Sequence, residues 1–155
     1  MRSAEANIRL TGIETSVTLV DTLLYVSRSL LPADTERDEV AAILATARAR
    51  NRSLGVTGAL MFTRDNFAQL LEGPREAIDE LMAGIQQDPR HAHVRILREE
   101  RNVVRRFGGW EMAYDGPSIF VARHVRVLAA SFSRPSDLHI DRLMGLMASM
   151  SGQGA

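Results

Sequence analysis

No lysine and no cysteine occur in this chain, and each absence removes a body of chemistry. All 19 basic residues are arginine, so Schiff-base catalysis and a phosphate loop built on lysine are excluded. Without thiols there is no cysteine nucleophile, no disulfide and no thiolate metal site, which suits an intracellular protein. A charge excess is missing too. The 19 acidic residues balance the arginines, so nothing favours nucleic acid or an anionic membrane as partner. No apolar run reaches the roughly 18 residues of a membrane span. Residues 1–18 mix Arg, Glu, Asn and Thr too freely for a signal peptide. These features predict a soluble cytoplasmic protein. Aromatic residues are scarce (five Phe, two Tyr and one Trp), so any aromatic chemistry has few candidates.

What is present reads as one domain. A chain of 155 residues buries about two-thirds of its unfolded surface in a single core. Residues 1–18 show no clear period and are expected to form a loose N-terminal extension. Leu19–Ser27 has strand character, with Leu23, Tyr25 and Ser27 on one face and Leu24 and Val26 on the other. Pro32-Ala33-Asp34 ends it, and Asp34 or Thr35 is placed to cap a helix running to about Ser53 before Gly55. Val40, Ile43, Leu44 and Ala47 give that helix one apolar face. Val56–Thr63 predicts a second strand that turns at Arg64-Asp65-Asn66 into a third. Gly73-Pro74 opens a second helix with Ile78, Leu81, Met82 and Ile85 at the same spacing, ending near Asp88-Pro89. A fourth strand over His93–Val103 and a loop from Arg106 to Tyr114 lead to a fifth strand.

The order β-α-β-β-α-β-β predicts an α+β, ferredoxin-like sandwich over residues 19–115, with both helices on one sheet face. Its first and third strands are central neighbours. Residues 116–155 contain two helical stretches, 118–133 and 137–150, with Leu138, Leu143, Leu146 and Met147 among their apolar positions. These are expected to cover the other sheet face.

Within the third strand, Gln69 interrupts Phe67-Ala68-Gln69-Leu70-Leu71-Glu72-Gly73. A buried amide without partners costs roughly 1–3 kcal/mol per unsatisfied group, so backbone, water, a side chain or a ligand must answer it. Tyr25 would lie beside it under the two helices. Asn51 stands near the end of the first helix, and Trp110-Glu111-Met112 at the far edge of the sheet. Each residue alone is most simply a packing or capping residue.

Taken together and in order, these residues resemble the BLUF family of flavin-binding blue-light sensors. The matching text is Leu24-Tyr25-Val26-Ser27, then Ala47-Arg48-Ala49-Arg50-Asn51 leading to Gly55-Val56-Thr57-Gly58. It continues through Phe67 to Gly73, Asp88-Pro89-Arg90-His91, and Arg106-Phe107 running to Trp110-Glu111-Met112. The resemblance covers roughly residues 20–115. It implies non-covalent FAD, with FMN or riboflavin as alternatives, lying between the two helices. Asn51 matches the residue that bonds the ring's pyrimidine edge, Gln69 the one bridging the flavin N5/O4 edge and the tyrosine hydroxyl, and Tyr25 the electron and proton donor. Trp110 and Met112 match the residues near the glutamine, of which one or the other faces it. Arg50, Asp88, Arg90 and His91 are the further cofactor-binding candidates. Output is implied to pass to a downstream protein or a homo-oligomer interface, without catalytic turnover.

Gly84 departs from the family, which usually has an arginine there on the ribityl-phosphate arm. Arg50, Arg52 and Arg90 are the candidates to compensate. The rival readings are a degenerate copy without flavin that serves as an interaction module, and an acylphosphatase-like enzyme on the same scaffold, for which no phosphate loop is found. His91 and His93, one residue apart and without a third ligand, predict no metal site.

Overall fold

The structure, a computed structural model, describes residues 5–10, 13–108, 113–115, 119–130 and 135–151. Along the chain run β1 (Glu5–Leu10), β2 (Ile13–Ser29), α1 (Glu36–Leu54), β3 (Thr57–Phe62) and β4 (Asn66–Gly73). There follow α2 (Arg75–Gln87), β5 (His91–Val104), β6 (Ala113–Asp115), α3 (Ile119–Ala130) and α4 (Asp137–Ser151). β4 and β5 both pair antiparallel with the same stretch of β2, so they lie on its opposite edges. β3 adds antiparallel outside β4, and β6 joins β3 in parallel. The strand order β5-β2-β4-β3 is that of a ferredoxin-like sheet, as the element order predicted.

The two cores follow from alternation along the strands. Leu23, Tyr25, Leu60, Phe67 and Leu71 pack with Val40 and Leu44 of α1 and Ile78, Leu81 and Met82 of α2. Their chain neighbours Leu24, Val26, Ala59, Ala68 and Leu70 pack with Val125 and Leu128 of α3 and Ile140, Leu143 and Met147 of α4. The C-terminal helices thus cover the face left open by α1 and α2. Leu138 corrects one detail: it is exposed, and Ile140, two residues later, is the buried residue of that turn.

Two local features set where the site lies. Gly55 ends α1 with φ 70°, a left-handed value that costs a glycine little, and its N–H together with that of Val56 caps carbonyls of the last turn. At the start of α1, Glu36, Asp38 and Glu39 meet the positive end of the helix dipole, while the Thr35 side chain makes no capping bond.

The N-terminal expectation is overturned. Glu5–Leu10 and Ile13–Thr18 form an antiparallel pair, with Leu10 opposite Ile13, so β2 is longer than the predicted strand. The physical reason is local. Ile13, Thr15, Val17 and Thr18 are β-branched, and only Thr11-Gly12 separates the two strands in sequence.

Candidate functional site

Register places the two central polar residues face to face. Tyr25 of β2 pairs directly with Gln69 of β4, and the Tyr25 hydroxyl donates to Gln69 Oε1 at 2.5 Å. Both are buried on the α1/α2 face. Burial foremost, and the charge of Asp88 second, push the Tyr25 phenol far above its ordinary range. Tyr25 is therefore a neutral phenol with its proton already aimed at an amide oxygen.

A cleft of about 140 Å³ opens over this pair, between α1 and α2. Ile43, Leu60, Phe67, Leu71, Leu81 and Ile85 give it apolar walls, and Asn51, Gln69, Arg50 and Arg90 add polar groups. Asn51 is almost wholly buried near the end of α1 and lines the same cleft as Gln69. An apolar cleft edged by two side-chain amides suits a heteroaromatic ring with its own donors and acceptors, and a guanidinium at its rim suits a phosphate tail. The residues present fit a flavin. A larger cavity, about 940 Å³ between α3 and α4, includes none of the sequence-predicted site residues.

The arginines divide unequally. Arg90 is held by Asp88 through Nε at 3.0 Å and Nη2 at 2.7 Å, with the Arg90 N–H also donating to that carboxylate. Hydrogen bonding from Arg90 keeps the Asp88 carboxyl below its usual range. Arg90 is thus already committed to an anion. Arg52 is exposed and does not line the cleft. Arg50 does line it, and an added Cβ on Gly84 would stand 3.3 Å from Arg50 Nη1. The missing side chain of α2 is therefore the space beside which the guanidinium from α1 lies. Glu80 pairs with Arg50 only loosely, at 3.7 Å and with both side chains exposed.

His91 enters the site from β5. Its Nδ1 lies 2.7 Å from Ser27 Oγ, and its ring meets Tyr25 edge-on and Phe67 at 4.5 Å between centroids. Burial pushes its imidazole below the ordinary value. Ser27 is a residue that sequence reading left out of the site, although its alternation with Tyr25 already put both on one face. Asn66 Nδ2 in turn donates to the Ser27 carbonyl, fixing that end of β2. Trp110 and Met112 lie outside the described residues. Among the described residues, no three His, Asp or Glu side chains gather as a metal site, and no helix is long and apolar enough to cross a membrane.

Comparison with known proteins agrees with this geometry. The model of the BLUF family, sensors of blue-light using FAD, matches residues 20–113. Photoactivated adenylate cyclase subunit beta of Euglena gracilis is 34% identical over 105 residues, which take in 68% of this chain and 12% of the subunit. Subunit alpha of the same organism is 35% identical over 101 residues, 65% of this chain and 10% of the subunit. The chain thus matches a small part of these relatives. BlrB, a BLUF protein solved in its dark state, is 32% identical with a TM-score of 0.65, covering 82% of this chain and 97% of BlrB. BlsA in its photo-activated state, at 22% identity, TM-score 0.70, and 84% and 95% coverage, shares the fold. The ordered motifs, the fold and the family match agree: this chain belongs to the BLUF family of blue-light sensors that use FAD.

Proposed function

We propose that Tyr25 and Gln69 are the photochemical pair of this sensor, and that Asn51, Arg50, Asp88, Arg90 and His91 hold its flavin in the cleft. The hydrogen bond from Tyr25 to Gln69 across paired central strands carries this reading. Bound flavin supplies blue-light absorption and an excited state that accepts an electron. Tyr25 is the donor, because a phenol surrendering an electron becomes strongly acidic and its proton has a ready path to Gln69 Oε1. Return of the electron and proton leaves the Gln69 amide rotated or tautomerised. Its two ends are chemically unlike, so either change exchanges a donor for an acceptor beside the ring. The absorption band moves slightly to the red, with no bond formed to the flavin.

Asn51 orients the ring's polar edge, and Arg50 takes the phosphate-binding part that Gly84 leaves open on α2. Arg90, with its charge shared by Asp88, acts mainly to hold the turn between α2 and β5, so that His91 at the start of β5 keeps its place. Trp110 and Met112 keep the part that the resemblance gives them, in which one or the other faces the glutamine. The domain itself turns over no substrate and works in the cytoplasm. Its signal leaves through a downstream protein or an interface between copies.

The absorption spectrum of the purified protein before and just after blue light tests the assignment. A flavin band that shifts red and relaxes in the dark is expected. Bound flavin without a shift would mean that the Tyr25–Gln69 pair does not operate. Colourless protein that takes up no added FAD would instead support a flavin-free interaction module.

A further inference from the structure

On the same strand as Gln69, three residues on, Glu72 is a carboxylate with no exposure at all, on the opposite sheet face. Its oxygens are answered by N–H and O–H donors. Oε2 accepts the Arg106 N–H at 2.6 Å, and Oε1 accepts the Phe107 N–H at 2.8 Å and the Thr57 hydroxyl at 3.1 Å. Two successive backbone N–H groups turned onto one anion form a nest, a rigid arrangement for backbone that is not in regular structure. Arg105 reinforces it from behind. Its guanidinium donates to Thr57 Oγ1 at 2.6 Å, to the Glu72 carbonyl at 3.2 Å and to the Gly55 carbonyl at 3.2 Å. Phe107 is fully buried in the core shared with α3 and α4.

This cluster ties three parts of the chain together: β4, the start of β3, and residues 105–107, which lead in sequence to 109–112 and β6. A buried carboxylate separated from its donors is costly, so β4 and this segment must move as one unit or give up strong bonds together. Gln69 on one face and Glu72 on the other are joined by two residues of extended backbone, Leu70 and Leu71.

We propose that Glu72 is the positioning residue through which a change at Gln69 crosses the sheet, by shifting residues 105–107 and so the approach to β6 and α3. The proposal rests on the photochemical reading of Tyr25 and Gln69 given above. Glu72→Gln tests it, because an amide has one oxygen to offer two N–H groups and its NH₂ opposes the second.

The experiment follows amide hydrogen exchange of residues 113–130 in the flavin-loaded full chain, in the dark and under blue light, with the visible spectrum taken on the same samples. Wild type is expected to show a red shift and a light-dependent change in exchange. Glu72→Gln is expected to keep the red shift and lose the light-minus-dark difference in exchange. A merely structural Glu72 would raise exchange equally in both conditions and leave that difference intact, which would overturn the proposal. So would a wild type that shifts red with no exchange response. A wild type with no red shift would overturn the photochemical reading itself, which separates the two failures. Should Glu72→Gln not fold, Arg105→Met removes the supporting guanidinium while sparing the carboxylate. It is expected to shrink the exchange response with the spectrum unchanged, and an undiminished response would contradict the role.

Discussion

Leu24-Tyr25-Val26 and Ala68-Gln69-Leu70 each send one residue to one face of the sheet and two to the other, and the faces are built on opposite principles. Against α3 and α4, the outer residues of each triplet meet leucine, valine, isoleucine and methionine, and the buried Glu72 on that face lies beyond them at the end of β4. Against α1 and α2, the middle residues form a hydrogen-bonded pair beside Asn51, Ser27 and His91, all among apolar neighbours. Apolar burial of the first kind contributes roughly 25 cal/mol per Å² and needs no particular partner. Polar burial of the second kind stabilises little and fails if a partner is lost. One face holds the fold, and the other holds a chemical state that can change.

The comparison can be broken at either face. Gln69→Leu should have the largest effect on function: the residue's volume is kept, flavin remains bound, and the light-induced red shift disappears. Difference spectroscopy reads this directly, and a surviving shift would show that the amide is not needed. Leu143→Ala, on the other face, should cost about 2–5 kcal/mol in denaturant unfolding while leaving the shift of the folded fraction intact. If it abolishes the shift in well-folded protein, the two faces do not act separately.

Acid should act on the polar face first. The folded-state pKa of His91 is lowered by burial, so this residue's contribution to stability is fully present above its ordinary value of 6.5. It is lost as pH falls from there towards the folded value, because the unfolded chain takes up the proton first. Thermal melts between pH 7 and 5 should therefore slope downward, and His91→Gln should flatten the slope. A slope unchanged in that variant would assign the loss to other groups.

The smallest expected effect is at Gly84. Gly84→Ala should gain about 0.5–1 kcal/mol of helix stability. Its new Cβ would press on the mobile end of Arg50, so flavin retention through gel filtration should fall modestly. Arg50→Ala should lower retention more, and equal retention in both variants would remove Arg50 from the phosphate-binding role.

Much of this was legible from residue order. Strict alternation put Tyr25 and Gln69 on one face, helical spacing found the buried sides of α1 and α2, and chain order fixed which strands are neighbours. What escaped is set by geometry that has no simple period. β5 pairs with β2 through three register shifts, with His93 and Asn102 at positive φ, so its exposed and buried residues do not alternate. The N-terminal strand pair is short, and its pattern only becomes meaningful once β2 offers an edge. Arg50, Arg52 and Arg90 are chemically alike in sequence. Asp88 beside Arg90 and the open Gly84 beside Arg50 tell them apart. Glu72 reads as the end of a strand until Arg106 and Phe107 come back across it from 34 and 35 residues downstream.

The most direct test of the central claim is the light-minus-dark absorption spectrum of Tyr25→Phe beside wild type, both carrying the same flavin. Phenylalanine keeps the ring in place and removes the hydroxyl that donates to Gln69. The wild type should shift red and recover in the dark, and Tyr25→Phe should hold flavin and show no shift. A full shift with normal recovery in Tyr25→Phe would contradict the account, because the face built around that hydroxyl would then not be the one that responds to light.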